Sequence, residues 1–192
     1  MPDSSAQPYL LKFWYRPGTV VGALLKEPSG HSLAVACGLL FGVAPAYRLY
    51  LSQESVSALI VVFGAFVGFF GLYLFSWLLR NFGRWFGAQA KLFELRIALG
   101  WGLMPWTILS LSMAVAIACG ASAEALAAFA WPLFGGFIYG YVTILLSIAA
   151  ALRLSVLKAF MCLVVTCIVS IFPLTLLAQF IAQAFGVAPV GS

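Results

Sequence analysis

Residues 56–79 read VSALIVVFGAFVGFFGLYLFSWLL, a run of apolar side chains that contains no charged residue. The hydrocarbon core of a bilayer is about 30 Å thick, and a helix needs about 20 apolar residues to cross it. This run is long enough to span a membrane as one helix. It therefore predicts an integral membrane protein.

Four further apolar runs of similar length lie on either side of this one. Together they predict five spans, at 32–50, 56–79, 98–119, 125–152 and 156–185. Only 8% of the residues are charged and 64% are hydrophobic, whereas soluble domains average about 25% charged residues. We expect an all-α polytopic membrane protein in which five transmembrane helices form one bundle.

The predicted bundle covers residues 31–186. Residues 1–30 are expected to form a cytoplasmic interfacial segment, and residues 187–192 an external tail. No basic region followed by an apolar stretch opens the chain, so the first span is expected to act as a signal anchor.

Positive residues alternate between the polar segments that separate the runs. Because Lys and Arg are retained on the cytoplasmic side during insertion, this alternation predicts a cytoplasmic N terminus and an external C terminus. Nine of the ten cations fall on the cytoplasmic side, and Arg48 falls on the other. We expect six of the nine to form a basic cytoplasmic face: Lys12, Arg16, Arg80, Arg84, Lys91 and Arg153.

The segment before the first span predicts a short helix that begins at Pro17. Its apolar residues recur at helical spacing on one face: Val20, Val21, Leu24 and Leu25. Two placements remain open for this helix. It lies flat on the cytoplasmic leaflet with its apolar face down, or it packs against the bundle.

Pairs of glycines spaced by four residues occur in two of the spans. Gly64 and Gly68 lie in the second span, and Gly136 and Gly140 lie in the fourth. Small residues at this spacing allow transmembrane helices to approach closely. We expect the second and fourth spans to pack together through them, although each pair could instead relieve local crowding alone.

Residues 80–95 form the longest polar connection, and their aromatic side chains alternate with cations. In a soluble chain this pattern would suggest nucleic-acid binding, but between two spans it indicates an aromatic belt at the membrane surface. We expect no nucleic-acid partner. Glu94 is the only acid in this connection, and we expect it to pair with Arg84 or Lys158, either as a structural ion pair or as a partner-docking latch.

The sequence lacks the residue combinations that catalysis needs. It has one histidine, His31, and shows no His-Glu helix motif, no Gly-x-Ser-x-Gly motif and no paired carboxylates. We predict a non-enzymatic protein without metal or cofactor, in which the cysteines are packing residues. Six hydroxyl side chains are expected to bond to the preceding turn or across helices: Ser110, Ser112, Thr143, Ser147, Thr166 and Ser170.

One further pattern lies around the start of the third span: Phe93, Glu94, Arg96, Gly100, Trp101 and Pro105. A second, weaker patch comprises Trp131, Ser155 and Lys158. In these residues the chain resembles the Yip-domain family, the Ypt/Rab-interacting membrane proteins and their bacterial relatives.

The resemblance implies five spans and a cytoplasmic N terminus. Eukaryotic members usually carry a longer tail and an Asp-Leu-x-Gly-Pro-like motif where this chain has residues 26–31. The short tail is similar to the bacterial branch, which implies a protein of the bacterial cytoplasmic (inner) membrane without an assigned reaction.

Two function classes remain after catalysis is set aside. The first is a membrane scaffold whose basic face binds membrane lipids, including anionic headgroups, or a protein partner on the cytoplasmic side, with a homo-oligomer as a further option. The alternative is a small transporter or lipid-translocating protein that uses polar groups at helices loosened by Pro105 or Pro173. The lack of charge at mid-span favours the first class.

Cysteine labelling tests the predicted sidedness. In a cysteine-free background expressed in bacteria, an impermeant maleimide added to intact cells should label Ser192→Cys and leave Ser5→Cys unlabelled. Permeabilised cells should label both variants. Labelling of both sites in intact cells would contradict the predicted topology.

Overall fold

The structure is a computed structural model that describes residues 7–26, 30–52 and 57–185. Every regular element in these ranges is an α-helix: α1 (Gln7–Phe13), α2 (Pro17–Leu24), α3 (Gly30–Ser52), α4 (Leu59–Trp85), α5 (Leu92–Gly102), α6 (Met104–Ala118), α7 (Ala123–Ala128), α8 (Ala130–Leu152) and α9 (Val156–Phe185). The predicted external tail and the first residue of the second predicted span, Val56, lie outside these ranges.

Four of these helices, α3, α4, α8 and α9, are long and apolar enough to cross a membrane. The third predicted span is a bent pair, because α5 and α6 meet at an angle of 41°. Counted as one span, this pair brings the described part of the chain to five. The all-α polytopic fold that the sequence predicts is confirmed.

A proline follows each of the two interruptions of the predicted spans. Pro105 lies in the first turn of α6 and cannot bond to the carbonyl of Trp101. Pro132 lies in the first turn of α8, and the chain turns at Phe129 between α7 and α8. A proline weakens a helix but does not always end it, since α3 and α9 continue through Pro45 and Pro173.

The helices that flank the polar connection extend further than the sequence predicts. The second span ends at Leu79 in the prediction, but α4 continues to Trp85. The third span begins at Ala98 in the prediction, but α5 already begins at Leu92. The polar connection between the helices is therefore limited to residues 86–91, because both helices continue beyond their apolar residues.

α3 and α4 pack with their backbones in direct contact. A Cβ added to Gly42 would overlap the carbonyl oxygen of Gly64, and one added to Gly68 would overlap that of Gly38. Gly64 and Gly68 therefore mediate close packing, but the partner predicted from the sequence is wrong. They face α3 in place of α8, because α3 carries a matching glycine pair at positions 38 and 42.

The glycines of α8 pack against α6. Gly140 lies under the indole ring of Trp106, and Gly136 lies beside Leu109, whose nearest methyl group would be 3.4 Å from an added Cβ. The Trp106 Nε1–H donates a hydrogen bond of 3.0 Å to the carbonyl oxygen of Phe137. These two glycines therefore accommodate large side chains of a neighbouring helix.

α5 lies at the centre of the bundle, between α3 and α8. Gly100 lies directly on the backbone of Ala34, and a Cβ on Gly102 would be 2.9 Å from the Cα of Ile144. Five of the apolar side chains of α5 are buried: Leu95, Ile97, Ala98, Leu99 and Trp101.

The N-terminal helices α1 and α2 pack against this core. Phe13, Val20, Val21 and Leu24 are all buried, and Gly18 lies against the backbone of Leu146 in α8. Of the two placements left open by the sequence, the structure shows the helix packed on the bundle.

The hydroxyl groups within the spans bond to their own helices. Thr143, Ser147, Thr166 and Ser170 each donate to the carbonyl four residues earlier, at 2.7–2.8 Å. Ser112 donates to the carbonyl of Leu109. The prediction is therefore confirmed for five of the six hydroxyl groups, and among the described residues no such bond is seen for Ser110.

The α3–α4 contact can be tested with two alanine substitutions in one helix. We expect Gly68→Ala to lower the free energy of unfolding by about 1–3 kcal/mol, because its methyl group would overlap the backbone of α3. Gly71→Ala is the matched control, since its methyl group would meet no atom within 4 Å. Equal stabilities of the two variants in a detergent unfolding titration would contradict the contact.

Candidate functional site at the basic end of the bundle

The ends of four helices meet at one end of the bundle, where α4 and α8 finish and α5 and α9 begin. Gly83 of α4 lies beside Leu152 of α8, with 2.9 Å between an added Cβ and the Leu152 methyl carbon. We call residues 80–96 and 152–158 the basic end. It contains six cations: Arg80, Arg84, Lys91, Arg96, Arg153 and Lys158.

Glu94 is the only acidic residue of the basic end, whose two ranges are fully described. Its side chain is 7% exposed, and its Oε1 accepts a 3.0 Å hydrogen bond from the guanidinium of Arg153. Its Oε2 accepts a 2.8 Å hydrogen bond from the backbone N–H of Lys91. Glu94 therefore caps the start of α5 and joins it to the end of α8.

The predicted partners of Glu94, Arg84 and Lys158, are not the ones that the structure shows. Glu94 lies in the first turn of α5, and its carboxylate folds back onto the residue before the helix. A carboxylate in the first turn of a helix is favoured because it satisfies a free N–H group and complements the helix dipole. This capping geometry directs the carboxylate towards the α8–α9 connection, where Arg153 lies.

Arg153 ends α8 in a backbone conformation that favours glycine. Its φ is +55°, while the chain uses glycine at the corresponding positions after α4 and α6, Gly87 (φ +87°) and Gly120 (φ +83°). A side chain other than glycine in this conformation costs about 1–2 kcal/mol. The hydrogen bond and ion pair with Glu94 offset part of this cost, which gives a reason for an arginine at this position.

The other residues of the family pattern have mostly structural roles. Trp101 is fully buried, donates from Nε1 to the carbonyl of Gly30 at 3.2 Å, and packs edge-on against Phe13 with 5.4 Å between ring centroids. Gly100 permits the contact with α3, and Pro105 is buried in the first turn of α6. Trp101 therefore attaches α1 to the core, while Gly100 joins α5 to α3.

Four residues of the same pattern are exposed: Phe93, Trp131, Ser155 and Lys158. Phe93 lies next to Lys91, whose Nζ is 6.0 Å from the ring centroid. Trp131 lies near the start of α8, far along that helix from the basic end.

Arg96 lies between α4 and α5. Its guanidinium carbon is 4.2 Å from the centroid of the Tyr73 ring, which is the geometry of a cation–π contact. Nothing in the sequence distinguishes Tyr73 from the many phenylalanines of the same span. The structure adds it to the site.

Trp14, which lies between Lys12 and Arg16 in the chain, packs on α8. It stacks on Tyr139 at 5.8 Å, and its carbonyl accepts a 2.7 Å hydrogen bond from the Tyr139 hydroxyl group. Tyr139 precedes Arg153 by fourteen residues of α8, which corresponds to about 20 Å along the helix axis. Gly18, two residues after Arg16, lies against Leu146, closer to the basic end. The inclusion of Lys12 and Arg16 in one basic face stays a prediction.

The described residues contain no group of three His, Cys, Asp or Glu side chains that could hold a metal ion. Cys37 and Cys162 are buried, whereas Cys119 and Cys167 are exposed.

The Yip1 domain family matches residues 11–177, which is most of the chain. The chain therefore belongs to the Yip1 family of membrane proteins, whose members are not known as enzymes. Among curated proteins and among solved structures, no match is found. The matched range includes α2, the centre of the bundle and the whole basic end.

The Glu94–Arg153 contact predicts an asymmetry between two substitutions. Glu94→Ala should lower the free energy of unfolding by about 1–3 kcal/mol, because it removes a helix cap and a buried acceptor. Arg153→Gly should stay within about 1 kcal/mol of the parent protein, because the loss of an ion pair with a 63% exposed arginine is offset by relief of the backbone strain. Thermal unfolding in detergent measures both.

A larger loss for Arg153→Gly than for Glu94→Ala would contradict this assignment. Glu94→Gln is a useful intermediate, because its amide oxygen can still accept from the N–H of Lys91 while the charge is removed.

Proposed function

We propose that this protein is a non-enzymatic membrane scaffold whose basic end binds an anionic surface, namely the acidic lipid headgroups of one leaflet. The observation that supports this is the charge of the basic end. Six cations stand against one carboxylate, and that carboxylate is buried and bonded to Arg153. The remaining positive charge is free to attract anions.

Four of the six cations are exposed: Arg84, Lys91, Arg153 and Lys158. Each Lys or Arg near a negatively charged leaflet contributes about 1 kcal/mol, so four together would favour contact with acidic lipid by a few kcal/mol. Trp85, which is 76% exposed, adjoins Arg84. Tryptophan prefers the headgroup region of a bilayer, where its ring is apolar and its N–H reaches water.

The leaflet follows from the distribution of positive residues. The basic end would face the cytoplasm, because cations are retained there during insertion. The host membrane would be the bacterial cytoplasmic membrane, in keeping with residues 26–31, which lack the motif usual in eukaryotic members. An acidic protein partner at the same surface, and association of several copies, are compatible extensions of a scaffold role.

A transport or lipid-translocation role receives less support. The bend between α5 and α6 resembles the broken helices of transporters, but the residues around it are packed: Trp101, Gly102, Met104 and Pro105 are all buried. An open groove of about 240 Å³ between α6 and the α7–α8 connection is lined mainly by apolar side chains such as Leu109, Met113 and Phe129. Such a lining suits an acyl chain better than a polar substrate.

Lipid retention tests the scaffold proposal. The variant carrying Arg84→Gln, Lys91→Gln and Lys158→Gln should copurify with at least about threefold less acidic lipid per protein than the parent, as measured by mass spectrometry after gentle extraction. The single variant Arg84→Gln should show the same loss in part, and Arg48→Gln is its matched control. Both remove one exposed arginine, but Arg48 lies towards the end of α3, away from the basic end.

Unchanged lipid retention in the triple variant would contradict the proposal. Movement of labelled lipid or solute across liposomes that contain the purified parent protein would favour the transport alternative.

A further inference from the structure

Three side-chain nitrogens are buried without a hydrogen-bond partner among the residues that the structure describes: His31 Nδ1, Arg80 Nε and Arg96 Nε. Buried polar groups in proteins are nearly always hydrogen-bonded, because loss of hydration without a replacement bond costs free energy. Three exceptions of the same chemical kind call for a common explanation. All three belong to side chains that are cationic or can become so.

Contacts of neighbouring residues and helix register place the three residues in one region of the bundle. A Cβ added to Gly30, next to His31, would lie 3.6 Å from Ile97, the neighbour of Arg96. Arg96 in turn contacts the ring of Tyr73. Arg80 follows Tyr73 by seven residues, two helical turns, and so lies on the same face of α4.

The packing of α3 against α4 supports the same register. Gly38 faces Leu72, at 3.1 Å between an added Cβ and the Leu72 side chain. The helices are antiparallel, His31 precedes Gly38 by seven residues, and Arg80 follows Leu72 by eight. His31, Arg80 and Arg96 therefore belong to one region where α3, α4 and α5 meet, which we call the three-helix junction.

The acid of the basic end does not neutralise this junction. Both carboxylate oxygens of Glu94 are engaged, one by Arg153 and the other by the N–H of Lys91. Two guanidinium groups in the same region repel each other, and the repulsion is stronger where water is scarce. An anion between them would remove the repulsion and accept bonds from the free nitrogens.

We infer that the three-helix junction is a binding site for one phosphate group, held by Arg80 and Arg96 with His31 as a third donor. Guanidinium groups bind phosphate oxygens through paired N–H donors, a geometry that lysine cannot reproduce. The imidazole contributes through Nδ1 when that nitrogen carries the proton. The phosphate belongs either to a lipid headgroup or to a free phosphate ion.

This inference deepens the proposed function, on which it rests, because it adds a defined headgroup site to a diffuse basic surface. The two ideas can fail separately. The diffuse surface depends on exposed cations such as Arg84, whereas the junction depends on Arg80, which is only partly exposed one helical turn earlier.

A titration in a phosphate-free maltoside detergent tests the site. Purified full-length protein receives either short-chain phosphatidylglycerol or inorganic phosphate at constant ionic strength, and the thermal midpoint is followed. We expect a saturable rise in the midpoint for the parent protein. The apparent affinity should fall by about tenfold or more in Arg80→Gln.

Two further variants separate binding from folding. Arg80→Lys keeps the charge but loses the paired donors, so we expect weaker binding with an unchanged elution profile in size-exclusion chromatography. Arg48→Gln is the control, because it removes an exposed arginine that lies outside the basic end, and it should bind as the parent does.

Stabilisation by phosphatidylglycerol alone assigns the phosphate to a lipid, stabilisation by inorganic phosphate alone assigns it to a soluble ion, and both results support the site. An equal effect of chloride at the same ionic strength would overturn it. Equal weakening by Arg48→Gln and Arg80→Gln would also overturn it, whereas the diffuse basic surface is tested separately by the triple variant.

Discussion

The position of α5 between α3 and α8 is the constraint on which the rest of the structure depends. Helices in a bilayer gain little from hydrophobic association, since lipid is as apolar as their own side chains, so close packing holds them together. Gly100 and Gly102 bring the backbone of α5 against Ala34 and Ile144. No larger residue could occupy either position without separating these helices.

That position explains how one short helix supports several features. Its first turn presents Glu94 to the end of α8, its middle holds Arg96 against Tyr73, and its last turn holds Trp101 against Phe13 of the N-terminal segment. A shift of α5 would therefore disturb both the charges of the basic end and the attachment of α1. Backbone contacts of α5 therefore determine where the charges of the basic end lie.

Much of the architecture follows from the order of residues. The apolar runs correctly indicate the spanning helices, and the hydroxyl groups within them bond to the preceding turn as their positions suggest. The helix starting at Pro17 is also present, with its predicted face buried. These features depend on the helical periodicity of apolar residues and on the free-energy cost of an unpaired polar group in hydrocarbon. Both are decided by residues that are close together in the chain.

What the sequence determined by itself is the membrane class, the apolar runs that form the spanning helices and the presence of cations at their ends, because each segment must be compatible with the bilayer by itself. Only the tertiary structure decided which glycines meet, which arginine bonds Glu94, and where the N-terminal helices pack on α8. These depend on contacts between residues far apart in the chain. In the sequence, several small or charged residues are equally good candidates for each contact. Only the packing of the helices selects one of them.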